Sequence, residues 1–514
     1  MKIVNETDTT AVLFQRRLTL AGFIGVTSLV VMLNGCMVGP KYGRPTVESP
    51  PTYKEQTSRD AQESGEWKKA QPSETITRGK WWEVFHDPSL SALEERVNVS
   101  NQNLKTAEAQ FRQARAAVRL SRAALYPTVT AGPTITVSHP SVNRSFRPST
   151  TAPTFADYVL SGDLSYEIDA WGRVRRMVEE SVATAQASAA DLETLRLSAQ
   201  SDLAVDYFML RGLDAQKQLL DSTVVAYQKS LELTTNRHNN GVASGVDVAQ
   251  AQTQLETTRA QLVDLGVQRA QLEHAIALLV GAPASSFSIP PSPISGPPPQ
   301  IPAGVPSELL ERRPDIAAAE RSVAAANAGI GVAKAAYYPV LSLVASVGFE
   351  STHVANWFSW PSHLWSVGPS LIQTVFDGGR RHATSDQAQA VYDATVATYR
   401  ESVLTAFQQV EDNLAALRVL SEEAQVQDAA VKAAERSLDL SVNRYKGGVA
   451  TYLEVAIAQA AALGNQRTSV DILDRQMTAS VLLIKALGGG WDTSRLPEAQ
   501  ELRSSARPHI NSGS

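Results

Sequence analysis

Few residues in this 514-residue chain are placed to do covalent chemistry. The eight histidines are scattered, and no HExxH, GxSxG, P-loop or paired-cysteine metal spacing occurs. Hydrolase, NTPase and zinc chemistry therefore have no motif to rest on. The reading is of a protein that is not an enzyme and takes no metal or cofactor. Two carboxylates stand out by position: Asp247 lies six residues past Gly241, and Glu454 six past Gly448. Each falls near the start of a helical pattern, where the macrodipole favours negative charge. One thiol, Cys36, completes the reactive set.

A lone cysteine can form no internal disulfide, so Cys36 needs another use. Arg16 and Arg17 precede LTLAGFIGVTSLVVML, an apolar segment of about 16 residues that fits a secretory signal better than a stable span. Leu33-Asn34-Gly35-Cys36 follows it and resembles a bacterial lipobox, whose cysteine becomes the acylated first residue of the mature chain. A plain signal peptide with an incidental cysteine is the alternative. Acyl chains contribute about 0.8 kcal/mol per buried CH₂, so several together anchor firmly. Met37 stands where Asp would retain such a lipoprotein at the inner membrane, and its presence implies sorting to the outer one.

These groups are positioned by two very long rods. From Arg380 to Lys446 there is no Pro or Gly, and Val396, Tyr399, Val403, Phe407, Val410, Leu414 and Leu417 recur in three- and four-residue steps. That is one buried seam on a helix, close to a heptad. Roughly 65 residues at 1.5 Å each make a rod of about 100 Å. The rod occurs twice: Asn236-Arg237-His238 through Gly241-Val242-Ala243 matches Asn443-Arg444-Tyr445 through Gly448-Val449-Ala450 at a shift of about 207 residues. Gly172-Arg173 maps onto Gly379-Arg380, and Leu125-Tyr126-Pro127 corresponds to Tyr337-Tyr338-Pro339. A period this long is a duplicated half-protein.

Between helices the period changes. Tyr158, Leu160, Leu164, Tyr166 and Ile168 share one parity, while Val159, Ser161, Asp163, Ser165, Glu167 and Asp169 share the other. Alternation predicts strands near 128–138, 155–169, 340–350 and 364–376. Alternation alone favours a soluble sandwich over membrane strands. Trp357, Phe358 and Trp360, between the last two strands, suit a membrane interface. Four membrane strands cannot close a barrel or leave open edges, whereas three chains supply 12. A net charge of −5 argues against a nucleic-acid surface.

The expected organisation is a signal peptide at 1–35, a lipid-anchored extended segment at 36–86, and a first repeat at 87–283. That repeat holds a helix near 88–125, a β-hairpin near 128–169, a long helix 172–238 and a helix 246–280. A proline-rich linker covers 284–306. The second repeat, 307–491, holds a helix, a hairpin near 340–376, a long helix 379–446 and a helix 452–487, before a disordered tail at 492–514.

Cys36 through Tyr42, Trp81-Trp82 with Phe85 and Asp87-Pro88, and Arg312-Arg313-Pro314-Asp315-Ile316 carry a resemblance. So do Phe376-Asp377-Gly378-Gly379-Arg380, Val410-Glu411, Arg444-Tyr445 and Leu487-Gly488-Gly489-Gly490-Trp491. The chain resembles the TolC-type outer-membrane efflux channels, in their lipoprotein branch of NodT/OprM-like factors. The resemblance implies a mainly α fold with membrane β: a trimeric 12-stranded β-barrel continuous with a 12-helix α-barrel, two repeats per chain. It implies export of small molecules, drugs or toxic organics, with a periplasmic adaptor and an inner-membrane pump. A coiled-coil lipoprotein scaffold without a channel is the alternative.

By matching position the resemblance assigns adaptor docking to the turns Gly241, Val242, Ala243, Ser244 and Gly448, Val449, Ala450, Thr451. It makes Leu453 and Glu454, with Asp247, candidates for a closing constriction. Glu454 reads equally as a solvated carboxylate at a helix start. Ile457 stands where relatives often have Asp, and Ala450 where some have a tethering Arg, which implies an iris that is more apolar and held by fewer ion pairs.

Overall fold

The computed structural model describes residues 37–55, 80–141 and 154–504, apart from 295, 303 and 305. The expected signal peptide and Cys36 lie outside the described residues. The principal helices are α1 (Pro88–Ser100), α2 (Gln102–Ala123), α3 (Arg173–Asn239), α4 (Gly245–Leu279), α5 (Pro314–Ala335), α6 (Arg380–Lys446), α7 (Tyr452–Ala486) and α8 (Ala499–Ser504), with a single turn at Leu309–Arg312 before α5. The strands are β1 (Thr128–Ser138), β2 (Phe155–Ile168), β3 (Val340–Ser351) and β4 (His363–Ile372).

Asp87 caps α1, accepting from the amides of Ser89 and Leu90, with Pro88 in the first helical position. The single helix expected over 88–125 is broken at Asn101. The Asn101 carboxamide oxygen accepts from the amides of Asn103 and Leu104, starting a new helix, while its nitrogen donates to Leu279 O at 2.9 Å. A buried side chain that caps one helix and ties down another outweighs the continuous helical pattern.

The rods α3 and α6 each run 67 residues, about 100 Å. Each starts after a glycine in the left-handed region, Gly172 at φ 79° and Gly379 at φ 88°. The α6 seam packs as its spacing predicts: Tyr399, Val403, Ala406, Phe407 and Val410 are buried against Leu309, Ile316, Val323 and Leu483. In the first half Trp81, Trp82, Leu90 and Val97 pack on Leu203, Tyr207 and Leu210 of α3, and Tyr207 Oη donates to Asp87 at 2.6 Å. The linker is strapped to this body, because Arg211 donates to Pro290 O at 2.7 Å and Asp214 accepts from Arg269 and from the Ser292 amide.

The strands form one antiparallel sheet in the order β1-β2-β3-β4, so the sandwich reading is replaced. Register puts Val129, Leu164 and Ala345 abreast, then Tyr166 beside Leu343, and Val347 beside Trp365. One face therefore carries Tyr158, Leu160, Leu164, Tyr166, Ile168, Leu341, Leu343, Val347, Phe349, Trp365, Val367 and Leu371. The other carries Thr128, Thr130, Thr134, Thr136, Asp157, Ser161, Asp163, Ser165, Ser342, Ser346, Glu350, Ser366 and Ser370, interrupted by a few apolar residues such as Val159 and Val344. β4 ends at Ile372, opposite Val340, short of the expected residue 376. Its partner strand starts after Pro339, which has no amide to donate.

Residues 37–55 lie extended along the helices. Val38 N donates to Trp171 O at 3.0 Å, Arg176 reaches the carbonyls of Val38 and Pro40, and Arg418 pairs with Glu55 at 2.8 Å. The expectation of a disordered tail from 492 is overturned as far as Ser504. Leu502 of α8 is buried among Val118, Val178, Val182 and Ala185, and Gln186 Nε2 donates to Pro497 O at 3.0 Å. A six-residue helix is too short to announce itself by periodicity, and its one buried leucine decides its place.

Candidate functional site at the helix-hairpin tips

Both rods end in the tight turns that the sequence marks with glycine, Gly241 at φ 76° and Gly448 at φ 78°. In the first tip the amides of Val242 and Ala243 donate to Arg237 O, and His238 Nδ1 lies 2.9 Å from Ala243 O. Ser244 and Asp247 make a complete capping box: Ser244 Oγ accepts from the Asp247 amide, and the Asp247 carboxylate accepts from the Ser244 amide at 3.0 Å. Two orphan amides are satisfied at once. Asp247 is thus occupied in holding its own helix start.

The second tip is held less firmly. Thr451 caps α7 without a side-chain hydrogen bond. Glu454 pairs instead with Arg444 across the turn at 3.3 Å, in a contact open to solvent on both sides. Such a pair contributes about 0–1 kcal/mol. Leu453 and Ile457, four apart on α7, are exposed.

The two tips are joined by residues that sequence reasoning did not select. Arg237 donates from Nη1 to Lys446 O at 3.1 Å, and its guanidinium lies 4.9 Å from the Tyr445 ring centroid. Its Nε is buried without a hydrogen-bond partner among the described residues. Tyr445 Oη donates to Thr234 Oγ1 at 3.3 Å, and the Tyr445 and Tyr452 rings meet edge-on at 5.5 Å. Gln459 links Tyr452 Oη to Ser230 Oγ. Ala251, Tyr445, Tyr452 and Val455 form a small isolated core here. Burial, then Tyr227 and Tyr445, push the Tyr452 hydroxyl up to about 12, so it stays neutral and donates. The available signal was the repeat itself, since Arg237 aligns with Arg444 at the shift of about 207.

The arrangement offers no nucleophile paired with a base. Among the described residues no group of three or more His, Cys, Asp or Glu could hold a metal. What the tip provides is a cluster of weak, breakable contacts at the free end of a long rod. The outer membrane efflux protein family profile matches residues 93–282 and 305–489, both repeats. The chain belongs to this family.

The efflux protein is 32% identical over 467 residues to the toluene efflux pump outer membrane protein TtgF of Pseudomonas putida, spanning 90% of this chain and 96% of the relative. It is 33% identical over 422 residues to the pyoverdine export outer membrane protein OpmQ of Pseudomonas aeruginosa, spanning 81% and 88%. Among solved structures it superposes on the outer-membrane channel OprN with TM-score 0.80 at 29% identity, covering 89% of this chain and all of that one. CusC follows the same path with TM-score 0.78 at 25% identity, covering 88% and 100%. The protein is an outer-membrane efflux channel of Gram-negative type, and its work is passage of solutes rather than catalysis.

Proposed function

We propose that three copies close a 12-stranded barrel in the outer membrane above a 12-helix tube, and that the tube's tips gate the passage. One observation carries this reading: the sheet has one apolar face and two unpaired edges, β1 and β4. Lipid tolerates no open edge. Strand directions alternate, so β4 of one copy meets β1 of the next antiparallel, and three copies give an even-numbered barrel. A second seam fits the same assembly. Val391, Leu404, Val419, Val426 and Leu440 are exposed along α6, at offsets from the first that fall on or within one residue of multiples of seven.

The barrel lumen is then lined by hydroxyls and by Asp157, Asp163 and Glu350, and the four strands contain no Lys or Arg. Neutral and cationic solutes suit such a duct better than anions. Small toxic organics of solvent or antibiotic type are the proposed cargo, delivered by an inner-membrane pump and a periplasmic adaptor that docks at the turns 241–244 and 448–451. Cys36 is proposed as an acylated anchor. It precedes a segment hydrogen-bonded to Trp171 at the base of the sheet, the height at which lipid ends.

The full chain in detergent should have the mass of three copies and should open ion-conducting channels in planar bilayers. Paired with its adaptor and pump in a host lacking its own channel, it should lower cellular accumulation of hydrophobic antibiotics. A monomer without conductance overturns the conduit. A free thiol at Cys36 in the purified N-terminal peptide removes the anchor alone.

A further inference from the structure

The loop between β3 and β4, residues 352–362, folds back over one face of the sheet. Trp357 packs on Tyr158, ring centroids 5.6 Å apart, and stacks on Phe358 at 5.0 Å. Phe358 meets Phe349 edge-on at 5.9 Å, and Trp360 lies parallel to His363 at 5.0 Å. The three strand residues that receive these rings share a face: Leu160 pairs with Phe349, Phe349 pairs with His363, and Tyr158 follows the parity of Leu160. That face is the apolar one. None of these ring contacts is to a residue of the polar face, which carries Asp157, Ser161 and Glu350.

The loop is also fixed in shape. Asn356 O accepts from the hydroxyls of Ser359 and Ser362 at 2.7 Å, and the Ser351 hydroxyl accepts from the His353 amide at 3.1 Å. Yet Phe358 is 64% and Trp360 80% exposed. Large rings held rigidly in the open need a partner.

We infer that this loop is a docking surface for the lipid of the outer leaflet, at the boundary between headgroups and acyl chains, and that it sets the depth of the barrel while leaving the exit clear. The inference rests on the barrel reading above. Continuity names the occupant: the clasp extends, without a break, the face that lipid must cover. Height agrees. Leu341 to Phe349 spans about 27 Å of strand at ~3.4 Å per residue, or roughly 21 Å of height at a tilt near 40°. The rings of 357–360 therefore lie at the upper rim of an apolar band about 25 Å tall. Trp rings prefer that zone because an apolar body and a polar N–H can each meet their own medium.

The test uses the full-length acylated protein in vesicles of outer-membrane lipid, with a nitroxide label on Trp360→Cys, Leu343→Cys or Ser366→Cys in separate samples. Collision rates with dissolved oxygen and with a water-soluble nickel chelate report depth. The expected result is that oxygen dominates at 343 and remains favoured at 360, while the chelate dominates at 366. A water-exposed label at 360 with a lipid-exposed label at 343 would falsify the clasp and leave the barrel standing. Water exposure at both 343 and 360 overturns the barrel and the clasp with it. The paired change Phe358→Ser with Trp360→Ser should leave single-channel conductance within about twofold. A several-fold rise would mean that the loop lidded the pore, and the inference falls.

Discussion

Asp474 on α7 faces Gly212 of α3, where an added Cβ would meet its carboxyl carbon at 3.1 Å. Burial, then Asp471, push its carboxyl up to about 6 from the ordinary 3.8. Because the folded value is the higher one, the folded protein binds this proton more tightly. Stability therefore rises as pH falls through about 6, is fully gained below 3.8, and is lost again toward neutrality. Asp474→Asn should remove that penalty, raising stability near pH 7 by on the order of 1–2 kcal/mol, less than the roughly 3 that two pKa units would give. Melting followed across this range should be flatter for the variant; identical profiles would mean the carboxyl keeps its ordinary affinity. At this scale the sequence was readable where backbone conformation demanded a residue type. Gly241, Gly448 and the Asp247 helix start follow from local rules. Arg237 does not, because its partner lies 209 residues away and only the fold brings them together.

Elements were legible in proportion to their length. Rods of 67 residues declare themselves through many repeats of one seam, whereas α8 has a single inward leucine. Leu502→Ala should cost about 2–5 kcal/mol, the range for truncating a buried leucine, measured as a lowered unfolding temperature. An unchanged value would mean that the tail contributes nothing to the body. The sheet's two faces were visible as parity, but parity could not say what each face met, and a sandwich and a barrel share the same alternation. Register makes the faces testable. Leu164 stands between Val129 and Ala345 on the apolar face, and Ser165 between Thr128 and Val344 on the other. Arg at Leu164 should impair membrane assembly, since a cation toward lipid near mid-membrane costs about 2–4 kcal/mol. Arg at Ser165 should be tolerated. Equal behaviour of the two variants in a heat-modifiability assay would refute the assignment.

The whole molecule poses an energetic problem that its tips must solve. A conduit through the outer membrane that stands open leaks, so the closed state must be preferred, yet by little enough for a docking partner to reverse it. The contacts available fit that requirement. The first hairpin has a full capping box, whereas the second has an uncapped Thr451 and a solvent-exposed Arg444–Glu454 pair. In the proposed gate the second hairpin is the moving part, and Arg237, stacked on Tyr445 and bonded to Lys446 O, is the latch that the first hairpin extends to it. Cutting the latch should bias the equilibrium toward opening. Arg237→Ala loses one charge-assisted hydrogen bond and a cation–π contact, together about 2–3 kcal/mol, which corresponds to a closed-state preference weakened by tens-fold. Resting conductance in planar bilayers should rise several-fold. Leu453→Ala should raise it too if the exposed leucines meet at the threefold axis, and Glu454→Gln should reduce cation preference more than it changes conductance. The ring contact within the latch is isolated by a double-mutant cycle: Arg237→Ala with Tyr445→Leu should change resting conductance by less than the two single changes together, because both remove the same stacking, even though Tyr445→Leu also removes the bond to Thr234. Full additivity of that pair would show that Arg237 and Tyr445 act apart, and a resting conductance unmoved by any of these changes would relocate the gate away from residues 447–458.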